Sequence, residues 1–431
     1  MNNKIYVMCF YESNVRYFHY AELSLGNPKF IYLCMYSSAV KYCKKNGLDF
    51  IYLPHHVRLL NEYDNITDIE LEEITSFHNK LFPGNEKKFF SLARKYLSFY
   101  ESISSINNTS CVVIGDVRLF SSTAKYISKV SGLNVFYFEP GPFGTMIFDK
   151  IGVNKNMEIA NDSLNKMKNL VDHETDYLDE FYSSKREVKY FENDLFAYLR
   201  KIPDVLYSVP PKCLSKYLYP EIQTGETLVD SIPYLLGRIF SSKKKHDKKN
   251  ISMYGNFIVF PLQVPCDVQI IMNSPYFRTI QEMIFSVYES LPDGYNLVIR
   301  EHPMNKGRYD KDIYKFIDKN SNIYLDNDND LWELVERSKL VVVNNSTVGI
   351  EALKYDTEVL VLGETYYHQV VHVYKGGDLS KAIGEAIDNY ISRNDKNAYL
   401  SYIYSYFLIK DNYKNKEYYN LDKMLARINN D

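Results

Sequence analysis

The chain has 431 residues, 45% of them hydrophobic and 24% charged, with a formal net charge of -3. That length exceeds one ordinary core and predicts two domains plus an appendage, while the composition excludes a disordered or fibrous chain. The charge balance excludes a globally basic nucleic-acid binder.

The six cysteines (Cys9, Cys34, Cys43, Cys111, Cys213, Cys266) are scattered, with no C-x-x-C pair, which speaks against a zinc site or a disulfide framework. The 40 tyrosines fit the biased usage of a Lys-, Asn- and Ile-rich chain and single out no surface. The opening MNNKIYVMCFYESNVRYF lacks a basic start followed by an apolar run. No stretch reaches the ~18 apolar residues of a spanning helix, so a cytoplasmic protein is expected.

Residues 4–10 (KIYVMCF) predict a buried strand, followed by a less regular segment to Ala39. Residues 48–53 (LDFIYL) predict a second strand closed by Pro54, and 64–105 recur at helical spacing with a break at Pro83-Gly84. CVVIGD (111–116), an amphipathic stretch through Val130, and NVFYFE (134–139) form a βαβ unit. Such a unit implies a parallel sheet with ligands at the carboxyl ends of its strands.

From 156 to 250 the pattern becomes charged, Tyr-rich and helical, and is expected to be an insertion or connector. It ends with IPYLLGRIF running into SSKKKHDKKN, five lysines beside an apolar segment. Two readings stand: a solvated linker, or an element lying on an anionic membrane surface, where each lysine adds ~1 kcal/mol. A second α/β unit follows, with strands at 256–263, 295–303, 322–326, 339–343 and 358–363 and helices at 277–290 and 330–338. The expected fold is α/β, two Rossmann-like domains facing a cleft with a helical insertion. Its divisions are 1–155, 156–250, 251–400 and a helical tail at 401–431.

Polar groups gather at the ends of these strands. They are Asp116 and Arg118, then Glu139 and Gly141, then Asp149 and Asn154; in the second half Gln263 and Asp267, then Glu301, His302 and Pro303, then Asn345, Ser346 and Thr347. LVVVNNSTVGIEAL (340–353) reads as a strand feeding a helix start, where Ser346 is either an N-cap or an anion ligand. Carboxylates, a histidine and a helix start in one cleft suit group transfer from a phosphate-activated donor. No P-loop or G-x-G-x-x-G is present, so ATP- or NAD-type binding lacks its usual support.

Four segments in order, FEPGPFGTMIFDKIGVN (138–154), PLQVPCDVQI (261–270), VIREHPMNKG (298–307) and VVVNNSTVGIEAL (341–353), resemble the capsule polysaccharide biosynthesis family. Its members include the retaining β-Kdo transferases that build the Kdo linker of lipid-anchored capsules. The resemblance covers both halves but not 156–250, and implies a GT-B-type glycosyltransferase. It places Gln263 and Asp267 in a Q-x-x-x-D motif whose aspartate is the nucleophile, and Glu139 and Gly141 in an E-x-G motif whose glutamate is the acid or base. His302 and Pro303 match the HP motif, and Ser346 and Thr347 the S-[ST] pair that grips the CMP phosphate, with Arg300 and Asn345 beside them. After Glu139 the chain reads PGPFGT where Kdo-transferring relatives carry Arg-Pro, and Arg118 is the expected stand-in.

The implied reaction is retaining transfer of β-Kdo from CMP-Kdo to a phosphatidylglycerol-type lipid linker or a growing Kdo chain. The CMP-sugar is a substrate, so no cofactor and no metal are expected. The implied partners are a lipid-linked acceptor, the inner-membrane surface and other capsule biosynthesis proteins, and not nucleic acid. Two alternatives stay open: a transferase using CMP-sialic acid or another sugar donor, and a non-catalytic capsule assembly or export protein.

Overall fold

Apolar runs buried on both faces are what central parallel strands require, and the chain supplies them in two series. The computed structural model describes residues 4–25, 29–170, 250–265, 267–410 and 421–429. The first series is β1 (Lys4–Cys9), β2 (Phe30–Cys34), β3 (Phe50–Tyr52), β4 (Thr109–Ile114), β5 (Asn134–Pro140) and β6 (Met146–Asp149). The second is β7 (Asn256–Pro261), β8 (Tyr295–Arg300), β9 (Ile323–Leu325), β10 (Leu340–Val343), β11 (Val359–Val361) and β12 (His372–Val373), and β13 (Leu408–Ile409) is the last strand among the described residues. Residues 4–153 and 407–429 belong to one unit, and 154–170 and 250–406 to the other.

The first sheet runs β13-β6-β5-β4-β1-β2-β3. β1 to β5 are mutually parallel, whereas β6 pairs antiparallel with β5 and β13 antiparallel with β6. The second sheet, β12-β11-β10-β7-β8-β9, is parallel throughout. Each sheet therefore reverses its strand order once, between β1 and β4 and between β7 and β10. This is the Rossmann-like doubly wound order, and the reversal is where such folds hold ligands.

The irregular stretch before Ala39 folds as the helix Glu12–Leu25, then β2, then the start of the helix Ser37–Asn46. The break at Pro83-Gly84 separates the helices Asp68–Leu81 and Glu86–Ser104, the first opened by a capping box between Thr67 and Glu70. The beginning of the expected connector is part of the second unit. Its helix Leu164–Leu170 packs on the helix Arg393–Tyr406, where Tyr402 donates to Asp162 Oδ2 at 2.8 Å. The remainder, 171–249, with most of the lysine-rich stretch, lies outside the described residues. Beyond Tyr406 the tail belongs to the first unit, burying Met424, Leu425 and Ile428 in its core.

The helix Arg393–Tyr406 is fastened by a buried ion pair. Lys396 Nζ lies 2.6 Å from Glu358 Oε1, both residues nearly inaccessible to solvent, and His372 Nε2 lies 3.1 Å from the other oxygen. Burial pushes the Glu358 carboxyl upward, but hydrogen bonds from His372 and Lys396 outweigh it and hold the group below the usual carboxylate range. A depressed carboxylate stabilises the fold above its unfolded pKa, and that stabilisation is lost as pH falls through the folded value. Lys396→Met should cost about 3–5 kcal/mol, because it leaves Glu358 buried without its cation. In urea unfolding, wild-type stability should decline on the acid side of about pH 4.3, and Glu358→Gln should flatten that decline.

Candidate functional site

At the reversal of the second sheet, the chains leaving β7 and β10 are bound to each other by side-chain amides. Gln263 Nε2 donates to Asn345 Oδ1 at 3.2 Å, and the Asn345 main-chain N–H donates back to Gln263 Oε1 at 3.4 Å. Asn345 Nδ2 reaches the main-chain oxygens of Gln269 at 3.3 Å and of Asn273 and Glu364 at 3.2 Å. Asn344 Nδ2 adds a bond to Gln269 O at 3.3 Å. Glycine is required at Gly363, where a Cβ would stand 2.5 Å from Asn273 O and 2.6 Å from Asn344 Oδ1. Asn345, expected beside the donor, ties three loops together.

The Q-x-x-x-D and HP segments are joined by a residue that neither motif contains. The buried Tyr309 hydroxyl accepts from the His302 main-chain N–H at 3.1 Å and donates to Gln263 O at 3.0 Å. Burial is the main influence pushing its phenol pKa up, so it stays protonated and able to donate. Glu301, also buried, accepts from Tyr314 OH at 2.5 Å, Asn327 Nδ2 at 2.6 Å and Gly307 N at 3.1 Å, fixing the loop that presents His302 and the exposed Pro303. Arg300 Nη1 donates to the main-chain oxygens of Asn329 at 2.7 Å and Asp326 at 3.2 Å. Asp267 is half-buried and caps the helix Val268–Met272, accepting from Gln269 N at 2.8 Å.

Ser346 is the N-cap of the helix Thr347–Ala352, its Oγ accepting from Val348 N at 3.3 Å. That use takes an acceptor lone pair and leaves the hydroxyl proton to donate. Its carbonyl accepts from Tyr367 OH at 2.5 Å, and the ring of Tyr367 occupies the space that a Cβ on Gly349 would need. Thr347, half-buried, opens the helix beside it.

In the first unit Asp116 follows β4, buried and paired with Lys125 at 3.3 Å. Arg118 lies over the Phe77 ring at 5.5 Å. Glu139 and Gly141 sit on the β5–β6 hairpin, whose turn is closed by Gly141 N donating to Thr145 O at 2.8 Å. A Cβ on Gly141 would meet Thr145 Oγ1 at 2.8 Å, so the motif glycine is fixed by the tight turn. Asp149 closes a turn, its Oδ1 accepting from Ile151 N at 2.7 Å and Gly152 N at 3.1 Å. Asn154, at φ +54°, begins the strap that enters the second unit. There Lys155 pairs with Glu364 at 2.5 Å, and Gln369 holds the strap through the carbonyl of Ile159 at 3.0 Å.

Sequence reasoning missed Tyr309, Asn344, Asn273 and Lys155, and singled out Glu301 only by its place at a strand end. Buried amides and an aromatic at the ends of strands were the available signal. Among the described residues, no group of three or more His, Cys, Asp or Glu side chains is placed to hold a metal, and no helix is long and apolar enough to cross a membrane. The four described cysteines are free and buried.

Compared with known proteins, residues 109–372 match the family described as "Capsule polysaccharide biosynthesis protein". The chain is 27% identical over 313 residues to the capsule polysaccharide modification protein LipB of Neisseria meningitidis serogroup A, covering 68% of this chain and 71% of LipB. It is 27% identical over 178 residues to protein FixF of Sinorhizobium fredii, covering 40% of this chain and 42% of that one, so it spans less than half of FixF. Among solved structures, the β-Kdo 2,7 transferase KpsC of Thermosulfurimonas dismutans aligns at 15% identity with a TM-score of 0.37, covering 92% of this chain and 90% of that one.

The amide network and the helix cap should separate in mutagenesis. Asn345→Ala leaves several buried polar groups without partners, at about 1–3 kcal/mol each, whereas Ser346→Ala removes one cap for about 1 kcal/mol. Thermal unfolding should show the larger loss for Asn345→Ala.

Proposed function

The chain belongs to the capsule polysaccharide biosynthesis family, and on that premise we propose that it is a retaining glycosyltransferase using CMP-Kdo. The observation that carries the reading is the convergence of the Q-x-x-x-D, HP and S-[ST] segments at the carboxyl ends of β7, β8 and β10. They are cross-tied there by Gln263–Asn345 and by Tyr309. Three sequence-distant motifs held on one sheet edge at its reversal suit a nucleotide-sugar donor.

In this reading Ser346 and Thr347 donate to the CMP phosphate and His302 offsets its charge. The Asp267 carboxylate attacks the anomeric carbon, the bond from that carbon to the phosphate oxygen breaks, and CMP departs with the electron pair. An acceptor oxygen then displaces Asp267 from the same carbon, and its proton passes to a base, the part that the family's E-x-G motif gives Glu139, and on to solvent. Two inversions give net retention and regenerate the free aspartate. The acceptor is a lipid linker or a growing Kdo chain, and the CMP-sugar is itself the activated donor, with no resident cofactor assigned. The site of action proposed is the cytoplasmic face of the inner membrane, with peripheral attachment.

A capsule polysaccharide export protein, KpsS of Escherichia coli, is 33% identical over 27% of this chain, which keeps a non-catalytic assembly role as the rival. Asp267→Asn should lower transfer from CMP-Kdo by about a thousand-fold or more, and intact-mass spectrometry should detect a Kdo adduct on a slowed variant such as Glu139→Gln. Consumption of CMP-sialic acid alone would overturn the donor. Capsule production unchanged by Asp267→Asn would establish the non-catalytic role.

A further inference from the structure

The reversal point of the first sheet is built from different chemistry, and the difference points to a ligand. Where the second sheet places amides and hydroxyls, the first places aromatic rings beside the buried Asp116–Lys125 pair. Phe10 and Tyr11 follow β1, Tyr36 follows β2, and Phe120 opens the helix Leu119–Ser131 after β4. Across the reversal Phe10 meets Phe120 edge-on, with centroids 5.2 Å apart and planes at 64°. Phe10 also meets Tyr36 at 5.7 Å, and Tyr36 stacks on Tyr11 at 5.1 Å with planes at 26°. Phe120 is fully buried, whereas Tyr11 is 52% exposed. The stack thus runs from the buried Phe120 through the half-buried Phe10 and Tyr36 to a ring that reaches solvent.

Tyr11 is held in place from below. Its N–H donates to Oδ1 of Asn14 at 3.1 Å, its carbonyl accepts from the N–H groups of Asn14 and Val15, and Asn14 is buried. The turn after β1 carries Phe10 and Tyr11 and no glycine-rich sequence of the kind that seats a pyrophosphate. One strand further along the same edge, Tyr52 at the end of β3 stacks on His55 at 13° and 6.4 Å. Three neighbouring strand ends thus carry tyrosines, on a sheet whose strands repeat at about 4.8 Å.

We propose that this edge is a stacking platform for the pyranose rings of a glycan, the acceptor in the glycosyltransferase reading on which that last identification rests. A pyranose offers a face of C–H groups to an aromatic ring and a rim of hydroxyls to phenolic oxygens, and Tyr11 and Tyr36 supply both partners. A lipid chain is better served by a groove of aliphatic side chains, and this stack is aromatic with hydroxylated rings at its top. The spacing of the strand ends gives room for more than one sugar ring.

The test uses the full chain without any donor, titrated with two soluble probes, a Kdo disaccharide glycoside and maltotriose, and read by saturation-transfer NMR and calorimetry. The ligand that binds wild type should bind Tyr11→Ala about tenfold more weakly, the size of one aromatic contact, while Tyr11→Phe should retain most of the affinity. Tyr36→Ala provides a second variant on the same stack. Unchanged affinity in Tyr11→Ala and Tyr36→Ala, full rescue by Tyr11→Leu, or failure of wild type to bind either probe would overturn the platform. Binding of maltotriose but not of the Kdo glycoside would keep the platform and count against Kdo as the acceptor sugar. CMP release from CMP-Kdo by wild type reads the donor assignment separately.

Discussion

The second unit depends on the hydrogen-bonded contact between Gln263 and Asn345. Where β7 and β10 end, their helices leave on opposite faces of the sheet, and the main-chain groups beyond the last ladder bond need new partners. The chain meets that need with carboxamides, each offering both donors and an acceptor on a short stem. Asn345 gathers the carbonyls of Gln269, Asn273 and Glu364 while receiving Gln263. Asp267, His302, Ser346 and Thr347 lie on the loops that these amides hold. The network therefore sets the positions of the loop residues around it.

The same constraint accounts for Tyr309. A hydroxyl bridging the main chain of two loops fixes their separation without using the side chains that carry the motifs. Its single proton goes to the Gln263 carbonyl, so it must receive from His302, and burial keeps that proton in place. Glu301 acts one step further out, gathering a tyrosine, an asparagine and a glycine around one carboxylate. A histidine presented by such a loop has its main chain fixed before any ligand arrives, which lowers the ordering cost of binding.

The sequence made the parallel strands legible, since runs such as CVVIG and LVVV are β-branched, short and bounded by turns. It hid the strands whose identity depends on a partner. β6 has four residues and exists because β5 turns back on itself through Gly141, and β13 has two residues and pairs with a strand far away in the chain. β2 was lost because FIYLC lies between helices whose own periodicity is shallow. The motif residues fell at strand ends as read, but their tasks could not be read from spacing. Arg300 and Asp149 serve the main chain around them, and a carboxylate or guanidinium in a loop looks the same in sequence whether it faces a ligand or a carbonyl. At Ser346 the two readings are compatible, because an N-cap oxygen that accepts from Val348 keeps its proton.

The two sheets share one strand order, so topology alone would assign both reversal points the same task. Their side chains separate them. Amides and hydroxyls at β7 and β10 form directional bonds and suit a ligand with phosphate oxygens and hydroxyls at fixed positions. Rings at β1, β2 and β4 offer area with little directionality and suit a ligand recognised by shape and by C–H faces. A polar floor beneath Tyr11 would have to be satisfied when no ligand is present, whereas Phe10 and Phe120 satisfy each other by contact. The rings at the first reversal point therefore hold one another in place whether or not a ligand is present.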